Sequence, residues 1–207
     1  MATRVLDHPV ARHLLTELRS VDTRPAAFRP LASKLAILLM VEATRDVPEE
    51  PRKVTTPLEE FEGRTLGAPI VLVPILRAGL GLLEPLVDLF PQARVGYIGL
   101  ERDEATFKPS AYYSKLPRVD DACVFVLDPM LATGGSAAAA IKTVREAGAP
   151  WIRMVSVVAA PEGVKVVEDA HPDVDIVTAA IDRELNENAY ILPGLGDFGD
   201  RLYGTEG

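Results

Sequence analysis

The sequence predicts an α/β fold, with a central, mostly parallel sheet flanked by helices. Short apolar runs recur along the chain, and segments of helical character separate them. The runs are continuous rather than alternating and are rich in Val and Ile, which is typical of strands buried on both faces of a sheet. They are IVLVPIL (70–76), VGYIGL (95–100), ACVFVL (122–127), WIRMVSVVAA (151–160) and DIVTAAI (175–181). Strands that alternate with helices in this way usually form a parallel sheet.

Helix signals fill most of the gaps between these runs. The predicted helices span 79–90, 135–148 and 161–171. The last of them has Pro161 and Glu162 in its first turn and Pro172 after its end, where these residues favour the start and the stop of a helix. Gly148 stands at a position typical of a helix C-terminus.

Two further helices are expected before the sheet, near 9–20 and 27–46. The second is apolar around much of its circumference from Leu35 to Val41, so we expect it to be buried, either against the sheet or in a subunit interface. The sequence contains no repeat, no low-complexity segment and no linker. We therefore expect one domain over 1–207, with 1–46 as a helical N-terminal region.

Two segments break the alternation of strands and helices. Residues 101–120 form a long polar insert with two prolines and paired tyrosines, which predicts a flexible loop or arm: a lid, a binding loop or a protruding hairpin. The C-terminal stretch 189–207 holds five of the chain's 15 glycines but also several large apolar residues. We expect this glycine-rich segment to be ordered, with its glycines allowing close approach of the backbone to a ligand.

Composition excludes several classes of function. The chain has 22 Lys and Arg against 30 Asp and Glu, a net charge of −8, which argues against a protein that binds nucleic-acid phosphates. The single cysteine, Cys123, excludes an intramolecular disulfide and is expected to be a buried apolar residue. The N-terminus lacks the apolar core of a signal peptide, and no run approaches the ~20 residues that cross a bilayer. These features predict a soluble, cytoplasmic protein with no membrane partner.

The stretch VFVLDPMLATGGSAAAAI (124–141) predicts a phosphate-binding loop. It combines a buried strand, a short loop and an alanine-rich helix, an arrangement in which backbone N–H groups at the start of the helix bind an anion. Gly134 and Gly135 allow the chain to approach the anion, and Thr133 and Ser136 add hydroxyl donors.

Asp128 directly follows the strand, at the carboxyl edge of the sheet where α/β proteins bind their ligands. A carboxylate repels phosphate, so its expected partner is a pair of sugar hydroxyls beside the phosphate. A Walker A loop is excluded because it needs a lysine, and the stretch 124–141 contains none, the next being Lys142. A dinucleotide fingerprint fails in RAGLGLLE, where Glu84 replaces the third glycine.

Two arginines complete the pattern at the strand ends. PILRAGLG (74–81) places Arg77 directly after a buried strand, and Arg102 follows the next strand along the chain. Guanidinium groups next to exposed backbone amides are typical of anion sites. Three strand ends thus predict a ligand with a phosphate at one end, a polyhydroxylated middle and further negative charge at the other.

These motifs resemble those of a known family. LDPMLATGGS resembles the phosphoribosyl-pyrophosphate loop of type I phosphoribosyltransferases. Together with PILRAGLG, EATRD, VVAAPEG and YILPGLGDFGDRLYGT, it makes the chain similar to uracil phosphoribosyltransferases from about residue 5 to 204. The resemblance implies a pentosyltransferase of pyrimidine salvage. Its implied reaction transfers the phosphoribosyl group of 5-phospho-α-D-ribose 1-diphosphate to N1 of uracil, giving UMP and diphosphate.

The resemblance also implies the residues of the site, with the base bound by main-chain groups in the segment 182–207. The implied contacts of phosphoribosyl pyrophosphate are Arg77, Arg102, Asp128, Pro129, Met130, Leu131, Ala132, Thr133, Gly134, Gly135, Ser136 and Asp197. The implied contacts of uracil are Ile191, Gly196, Asp197 and Phe198. The implied catalytic residues are Arg102, Asp128 and Asp197.

The implied cofactor is Mg²⁺, held mainly by the diphosphate of the substrate because no cluster of protein ligands is visible. The resemblance and the apolar second helix both favour a homodimer or homotetramer, with uracil and phosphoribosyl pyrophosphate as small-molecule partners. Whether GTP acts as an allosteric effector is left open by the sequence.

Two positions depart from the family pattern. Pro129 stands where the wider phosphoribosyltransferase motif has a second acid, and Phe198 stands where a small residue is usual, which affects the shape of the pocket. None of the three histidines falls in a motif, so the acceptor of the N1 proton stays open among Asp197, water and diphosphate.

Two other functions also stay open at this point. One is a non-catalytic regulator that binds RNA or protein, which the net charge of −8 disfavours. The other is the same chemistry on a purine or another base.

Overall fold

The computed structural model describes residues 3–102 and 109–205. Its longer strands are β2 (Glu49–Thr55), β3 (Glu60–Leu66), β4 (Ile70–Leu76), β6 (Tyr97–Arg102), β7 (Pro109–Lys115), β8 (Cys123–Leu127), β10 (Trp151–Ala159) and β11 (Asp175–Ile181). Its shorter strands are β1 (Thr3–Val5), β5 (Arg94–Val95), β9 (Met130–Leu131), β12 (Glu184–Leu185) and β13 (Ile191–Leu192). Its helices are α1 (Pro9–Arg19), α2 (Pro25–Ala43), α3 (Leu80–Leu89), α4 (Gly135–Glu146), α5 (Pro161–Ala170) and α6 (Phe198–Tyr203).

Nine of these strands form one central sheet. The order is β1-β11-β10-β8-β4-β6-β7, with β5 beside β4 and β9 beside β10. Among the described residues, every pair in this sheet is parallel except β6 with β7. The predicted fold class is therefore confirmed.

Helices cover both faces of the sheet. Alternate residues of a strand point to opposite faces, so Phe125 of β8 packs with residues of α1, α2, α3 and α6, whereas Val124 and Val126 pack with residues of α4 and α5. Burial on both faces explains why the strands are continuous apolar runs in the sequence. No helix in the described part of the chain is long and apolar enough to cross a bilayer.

The apolar part of α2 is buried within the chain itself. Leu35, Leu39 and Met40 have no exposed surface and belong to the core cluster on one face of the sheet, whereas Val41 is 59% exposed. Of the two alternatives for this helix, packing on the sheet is confirmed. The helix consequently gives no support for a subunit interface.

The polar insert 101–120 contains part of a hairpin. The strand β6 extends to Arg102, and β7 pairs with it in antiparallel register, with Arg102 opposite Pro109. This agrees with the protruding hairpin among the alternatives. The remaining part of the insert, 103–108, lies outside the described residues.

A second hairpin, β2 with β3, was not predicted. Its two strands pair only with each other among the described residues, and every residue of β2 is exposed. A strand that is exposed on both faces has no apolar periodicity, so the search for apolar runs could not detect it.

Candidate active site

The predicted site residues follow three adjacent strands. β4 lies between β8 and β6 and pairs in parallel with both. Asp128 follows β8, Arg77 follows β4, and Arg102 is the last residue of β6. The three residues therefore start from the same carboxyl edge of the sheet. The backbone of Arg102 is described, but its side chain lies outside the described part of the structure.

Asp128 is half-buried at the start of the predicted phosphate loop. Its backbone N–H donates to the carbonyl of Val155 at 3.1 Å, and its Oδ1 accepts a hydrogen bond from the N–H of Met130 at 3.3 Å. Burial raises the pKa of Asp128 to about 7, although the Met130 N–H acts in the opposite direction. The carboxyl thus gains and loses its proton near neutral pH, beside the predicted phosphate site.

The beginning of the loop is fixed to β10. The carbonyl of Pro129 accepts hydrogen bonds from the N–H groups of Val157 and Val158 and from the hydroxyl of Ser156, at 3.0, 3.1 and 3.2 Å. The N–H of Leu131 donates to the same hydroxyl at 3.3 Å. Ser156 is completely buried and was missed in the sequence, where it is visible only as a hydroxyl inside an apolar strand.

The middle of the loop packs against the start of α5. Gly134 has a left-handed φ of 78°, and a Cβ there would lie 2.6 Å from the carbonyl oxygen of Gly163. A Cβ on Gly163 would lie 2.8 Å from the carbonyl oxygen of Leu131 and closer still to that of Ala132. Only two glycines allow this contact, so the VVAAPEG motif supports the loop.

The end of the loop starts α4 without a side-chain cap. Gly134 is the N-cap residue, and no side chain accepts a hydrogen bond at this end of the helix among the described residues. The first N–H groups of a helix have no acceptor within the helix and carry a partial positive charge. They are therefore available to an anion, as the sequence predicted.

Two neighbouring cavities lie at this edge of the sheet. The first, of about 150 Å³, is lined by Asp128 together with 130–134 and 136–137. The second, of about 240 Å³, is lined by 188–191 and 196–197 together with Met130 and Ala132. Met130 and Ala132 line both cavities, so the cavity at the predicted phosphate loop adjoins the cavity at the C-terminal segment.

Most of the predicted contact residues line these cavities. Those that do are Asp128, Met130, Leu131, Ala132, Thr133, Gly134, Ser136, Ile191, Gly196 and Asp197. Pro129, Gly135, Arg77 and Phe198 do not line either cavity. The main chain of Arg77 and the ring of Phe198 make contacts elsewhere in the fold.

Arg77 is exposed, in a loop that touches the end of β8. A Cβ on Gly79 would lie 2.5 Å from the carbonyl oxygen of Leu127, so the two loops are in contact through the backbone. The carbonyl of Arg77 accepts a hydrogen bond from the hydroxyl of Tyr203 at 3.4 Å, which connects this loop to α6. The structure thus places the backbone of Arg77 beside the end of β8, while its exposed side chain lines neither cavity.

Phe198 points away from the second cavity. Its ring is buried and meets the ring of Phe28 edge to face, with 5.2 Å between the centroids. A Cβ on Gly81 would lie 2.9 Å from the same ring, so Phe198 fixes α6 on α3. The departure from a small residue at this position therefore affects the core and leaves the pocket wall unchanged.

Asp197 lines the second cavity and is also the N-cap of α6. Its Oδ1 accepts a hydrogen bond from the N–H of Asp200 at 2.8 Å. The turn of 186–190 on the other side of the cavity is held by Asn186, whose Oδ1 accepts from the N–H groups of Asn188 and Tyr190 at 3.0 and 2.9 Å. Both walls of the cavity are thus fixed by side chains that bind the backbone.

His8, His171 and Cys123 are accounted for by contacts with the backbone or by burial in the core. His8 accepts a hydrogen bond from the N–H of Val10 at the start of α1, and the ring of His171 lies 2.9 Å from the carbonyl oxygen of Ala138. Cys123 is buried in β8, which confirms the expectation from the sequence, and burial raises the pKa of its thiol. No group of three or more His, Cys, Asp or Glu side chains that could hold a metal occurs within 3–102 and 109–205.

Comparisons with known proteins agree with this geometry. The family model described as uracil phosphoribosyltransferase matches residues 5–205. The uracil phosphoribosyltransferase of Symbiobacterium thermophilum is 50% identical over 98% of each chain, and that of Roseiflexus castenholzii is 51% identical over 97% of each chain. The solved structure of AQ2163 protein from Aquifex aeolicus is 38% identical, with a TM-score of 0.94 over 99% of each chain.

More distant structures share the fold alone. The hypoxanthine phosphoribosyltransferase of Trypanosoma cruzi is 12% identical, with a TM-score of 0.51 over 81% of each chain. The purine phosphoribosyltransferase of Pyrococcus horikoshii is 18% identical, with a TM-score of 0.50 over 71% of this chain and 82% of the other. With a sheet, a phosphate loop and a C-terminal pocket of the expected form, and with a family match over nearly its whole length, the chain belongs to the uracil phosphoribosyltransferase family.

Proposed function

We propose that this chain transfers the phosphoribosyl group of 5-phospho-α-D-ribose 1-diphosphate to N1 of uracil, giving UMP and diphosphate. The observation that carries the proposal is the pair of cavities with Met130 and Ala132 as their common wall. A nucleotide has the same elongated form, with its phosphate at one end and its base at the other. The family membership and the relatives at about half identity support the same reaction.

The phosphate loop binds the 5′-phosphate. Backbone N–H groups from the loop and from the start of α4 donate to the phosphate oxygens, and Thr133 and Ser136 add their hydroxyls. The glycines of the loop leave no side chain in the way. Positions Pro129 and Gly135, which line neither cavity, act through the shape of the backbone.

Asp128 accepts hydrogen bonds from the ribose hydroxyls. Its carboxyl lies in the wall of the first cavity and is held from one side only by the N–H of Met130. Since Pro129 replaces a second acid, Asp128 is the acid of this motif that can accept from the sugar. The ionised form makes the stronger hydrogen bonds, so sugar binding favours loss of the proton from Asp128.

In the reaction, the bond between C1′ and the diphosphate oxygen breaks and the bond between C1′ and uracil N1 forms. The sugar becomes cationic along the way and the diphosphate leaves with its bonding electrons, so catalysis rests on position and charge. Arg77 and Arg102 bind the leaving diphosphate. Mg²⁺ bound together with the substrate diphosphate would supply further positive charge for the leaving group. A site with Asp128 as its carboxylate fits that mode of binding, because Mg²⁺ often takes one or two carboxylates together with substrate phosphates.

The base lies in the second cavity. Uracil presents an acceptor, a donor and an acceptor at O2, N3–H and O4, and main-chain groups of Ile191, Gly196 and Phe198 offer the complementary pattern. Cytosine reverses two of these groups, so a buried pocket of this kind discriminates strongly against it. Asp197 lies between the base and the sugar. Because one of its oxygens caps α6, the N1 proton goes to its other oxygen, to water or to the leaving diphosphate.

A panel of radiolabelled bases tests this proposal. The purified chain is incubated with phosphoribosyl pyrophosphate, Mg²⁺ and either uracil, cytosine, adenine, guanine or hypoxanthine, and nucleotide formation is measured. We expect UMP to form from uracil and no product to form from the other bases. If a purine nucleotide formed instead of UMP, the substrate would be a purine base. If no nucleotide formed and the chain bound RNA, it would be a non-catalytic regulator.

We propose further that the chain acts as a single domain in the cytoplasm, as a homodimer or homotetramer, with GTP as an effector. Exposed apolar side chains in the β2–β3 hairpin, Leu58 at 95% and Phe61 at 57% exposure, support association between subunits. Sedimentation velocity and initial rates with and without GTP test these two points. A monomer, or a rate that GTP does not change, would contradict them.

A further inference from the structure

We propose that Arg201 and Arg19 are positioning residues for the base. They bind the carbonyl groups of Leu195 and Gly194 behind the pocket, and in this way they direct the N–H of Gly196 towards uracil. The inference rests on the proposed function in one respect, namely that the C-terminal segment binds the base. Both arginines lie outside the set of residues that contact the substrate.

Arg201 binds four backbone carbonyl groups from two parts of the chain. Its Nη1 donates to the carbonyl of Leu195 at 2.8 Å and to that of Leu18. Its Nη2 donates to Ser20 at 2.6 Å and to Thr23 at 3.3 Å. The guanidinium group also stacks over the ring of Phe28, with 4.7 Å from Cζ to the centroid. A planar group held on this many sides has little freedom to move.

The direction of the Gly196 N–H follows from the bond that Arg201 makes. A trans peptide unit is planar, and its C=O and N–H point in opposite directions. The carbonyl of Leu195 and the N–H of Gly196 belong to the same unit, which is not among the cis peptide bonds of the described residues. Since Arg201 holds the carbonyl, the N–H is turned to the opposite side.

The cavities place uracil on that opposite side. Gly196 lines the base cavity, and it also lines a separate cavity of about 340 Å³ whose other walls include Arg19, Leu195 and Arg201. The peptide unit between Leu195 and Gly196 therefore separates the base cavity from the cavity that the two arginines line. The N–H of Gly196 donates to no acceptor within the described residues, so it is available to a ligand.

Arg19 fixes the preceding residue in the same manner. Its Nη1 donates to the carbonyl of Gly194 at 2.6 Å, and its two terminal nitrogens bind both oxygens of Asp182 at 2.8 and 2.6 Å. Asp182 in turn accepts a hydrogen bond from the N–H of Gly194 at 2.9 Å. The carboxylate of Asp182 is only 5% exposed, so Gly194 is held at both its N–H and its carbonyl by a buried ion pair.

Kinetics of matched arginine variants test the proposal. Arg201→Met keeps an unbranched apolar stem beside Phe28 but removes every side-chain donor. We expect it to raise the KM for uracil about ten-fold or more and to leave the KM for phosphoribosyl pyrophosphate nearly unchanged. Arg201→Lys retains some donors and should give an intermediate KM. Arg29→Met is the control, because Arg29 also donates to a carbonyl of α6, that of Leu202 at 2.8 Å, but does not touch 194–196.

Equilibrium binding separates this inference from the function on which it rests. Titration calorimetry compares UMP with ribose 5-phosphate, which lacks the base. If the wild-type chain binds UMP no more tightly than ribose 5-phosphate, the assignment of the base to this segment fails. If the wild-type chain prefers UMP, Arg201→Met should lose affinity for UMP about ten-fold while its affinity for ribose 5-phosphate stays the same.

Two results would overturn the proposal. One is an Arg201→Met chain with an unchanged KM for uracil, and the other is an equal loss of affinity for both ligands, which would indicate a structural role alone. If Arg201→Met does not fold, the KM for uracil of Arg19→Lys is measured instead. This change weakens only the hydrogen bonds to Asp182 and to the carbonyl of Gly194. An unchanged uracil KM in a folded Arg19→Lys chain would then contradict the inference.

Discussion

Burial raises the pKa of the Asp128 carboxyl to about 7, although the hydrogen bond from the N–H of Met130 acts in the opposite direction. The unfolded chain loses this proton at about pH 4. As the pH rises from about 4 to 7, the unfolded state is ionised while the folded state still holds the proton, so stability falls over this range and then levels off. The folded protein thus keeps a destabilising acid at the point where a sugar is expected.

Asp128→Asn should separate function from stability. We expect UMP formation to fall about a hundred-fold or more, since the amide cannot accept from two hydroxyls as an ionised carboxylate does. The midpoint of urea unfolding should be equal to or higher than that of the wild type at pH 8, and the difference should grow between about pH 4 and 7.

The control is Asp169→Asn, at an exposed acid of α5 whose nearest cation, Lys165, is also exposed. It should change neither the rate nor the unfolding midpoint by much. Normal turnover of Asp128→Asn would show that the carboxylate does not bind the ribose. Clear destabilisation at pH 8 would show that it is a structural acid instead.

At the scale of elements, the contact between α5 and the phosphate loop leaves no room for a side chain. A Cβ on Gly163 would collide with the carbonyl oxygens of Leu131 and Ala132. A Cβ on Gly134 would collide with the carbonyl oxygen of Gly163. The neighbouring atoms are backbone atoms, which cannot turn aside as a flexible side chain can. The position of the loop is therefore set by a helix that does not itself contact the ligand.

Gly163→Ala should move the phosphate loop. Alanine favours a helix by roughly 1 kcal/mol over glycine, so the change would stabilise a helix with free space around it. Here we expect the opposite: lower stability, and a KM for phosphoribosyl pyrophosphate that rises about ten-fold or more. Val166→Ala is the control, since it removes volume from the same contact. A Gly163→Ala chain with wild-type kinetics would disprove the coupling between α5 and the loop.

The elements of the fold could be predicted where burial leaves a trace in the sequence. The runs of β4 and β11 and the start of α5 were predicted at the bounds that the structure gives, because strands buried on both faces and proline at a helix start are local signals. The β2–β3 hairpin could not be predicted, because its exposed residues follow no period. The short strand β9 is defined by its pairing with β10, 28 positions further along the chain, which a local pattern does not encode.

At the scale of the whole molecule, a buried arginine joins three neighbouring strands at one end of the sheet to the turn after α2. Arg153 of β10 is only 1% exposed and binds Asp46 at 2.5 and 3.0 Å and Asp175 at 2.9 Å. Arg4 of β1 binds the same two carboxylates at 2.8 and 3.2 Å. The two arginines hold the pKa of Asp46 well below its usual range, with Arg153 as the larger cause. This network connects α2, β1, β10 and β11.

Asp46→Ala should destabilise the whole fold without changing the site. Asp46 is 49% exposed and Arg153 would keep Asp175 as a partner, so we expect the free energy of unfolding to fall by about 2 kcal/mol at pH 7. Because the pKa of Asp46 is lower in the folded state, its carboxylate stabilises the fold at pH values above about 4, the pKa of the unfolded state. This stabilisation is lost as the pH falls below about 4. The difference in urea midpoint between Asp46→Ala and the wild type should therefore shrink in acid.

Asp173→Ala serves as the surface control, since the pair of Asp173 with Arg145 is exposed, with side-chain exposures of 65% and 40%. We expect it to change stability by less than about 1 kcal/mol. Equal losses from both variants would mean that the buried network does not contribute more than a surface pair.

The sequence predicted the residues that line the two cavities better than the residues that hold the cavity walls in place. Asp128 and Gly134 lie in a compact motif, so their chemistry is visible in one stretch of the chain. Ser156 and Arg201 act through hydrogen bonds to residues 25 and up to 183 positions away, and nothing in the local pattern marks them. Arg77 was predicted as a contact but lines neither cavity, because the guanidinium group of an exposed side chain takes its position from the ligand.

The bonds of Arg201 to Leu18 and Ser20 also set an order of events during synthesis. The phosphate loop has all its backbone partners once residue 163 has left the ribosome, because these contacts fall within 128–163. The contacts behind the base pocket cannot form until residue 201 of the 207 has been synthesised, because Arg201 binds carbonyl groups of Leu18 and Ser20 near the start of the chain. Domains assemble as the chain emerges, and contacts between its two ends form last. The base pocket thus depends on a contact between residues 183 positions apart, whereas the phosphate loop is held by residues no more than about 30 positions away.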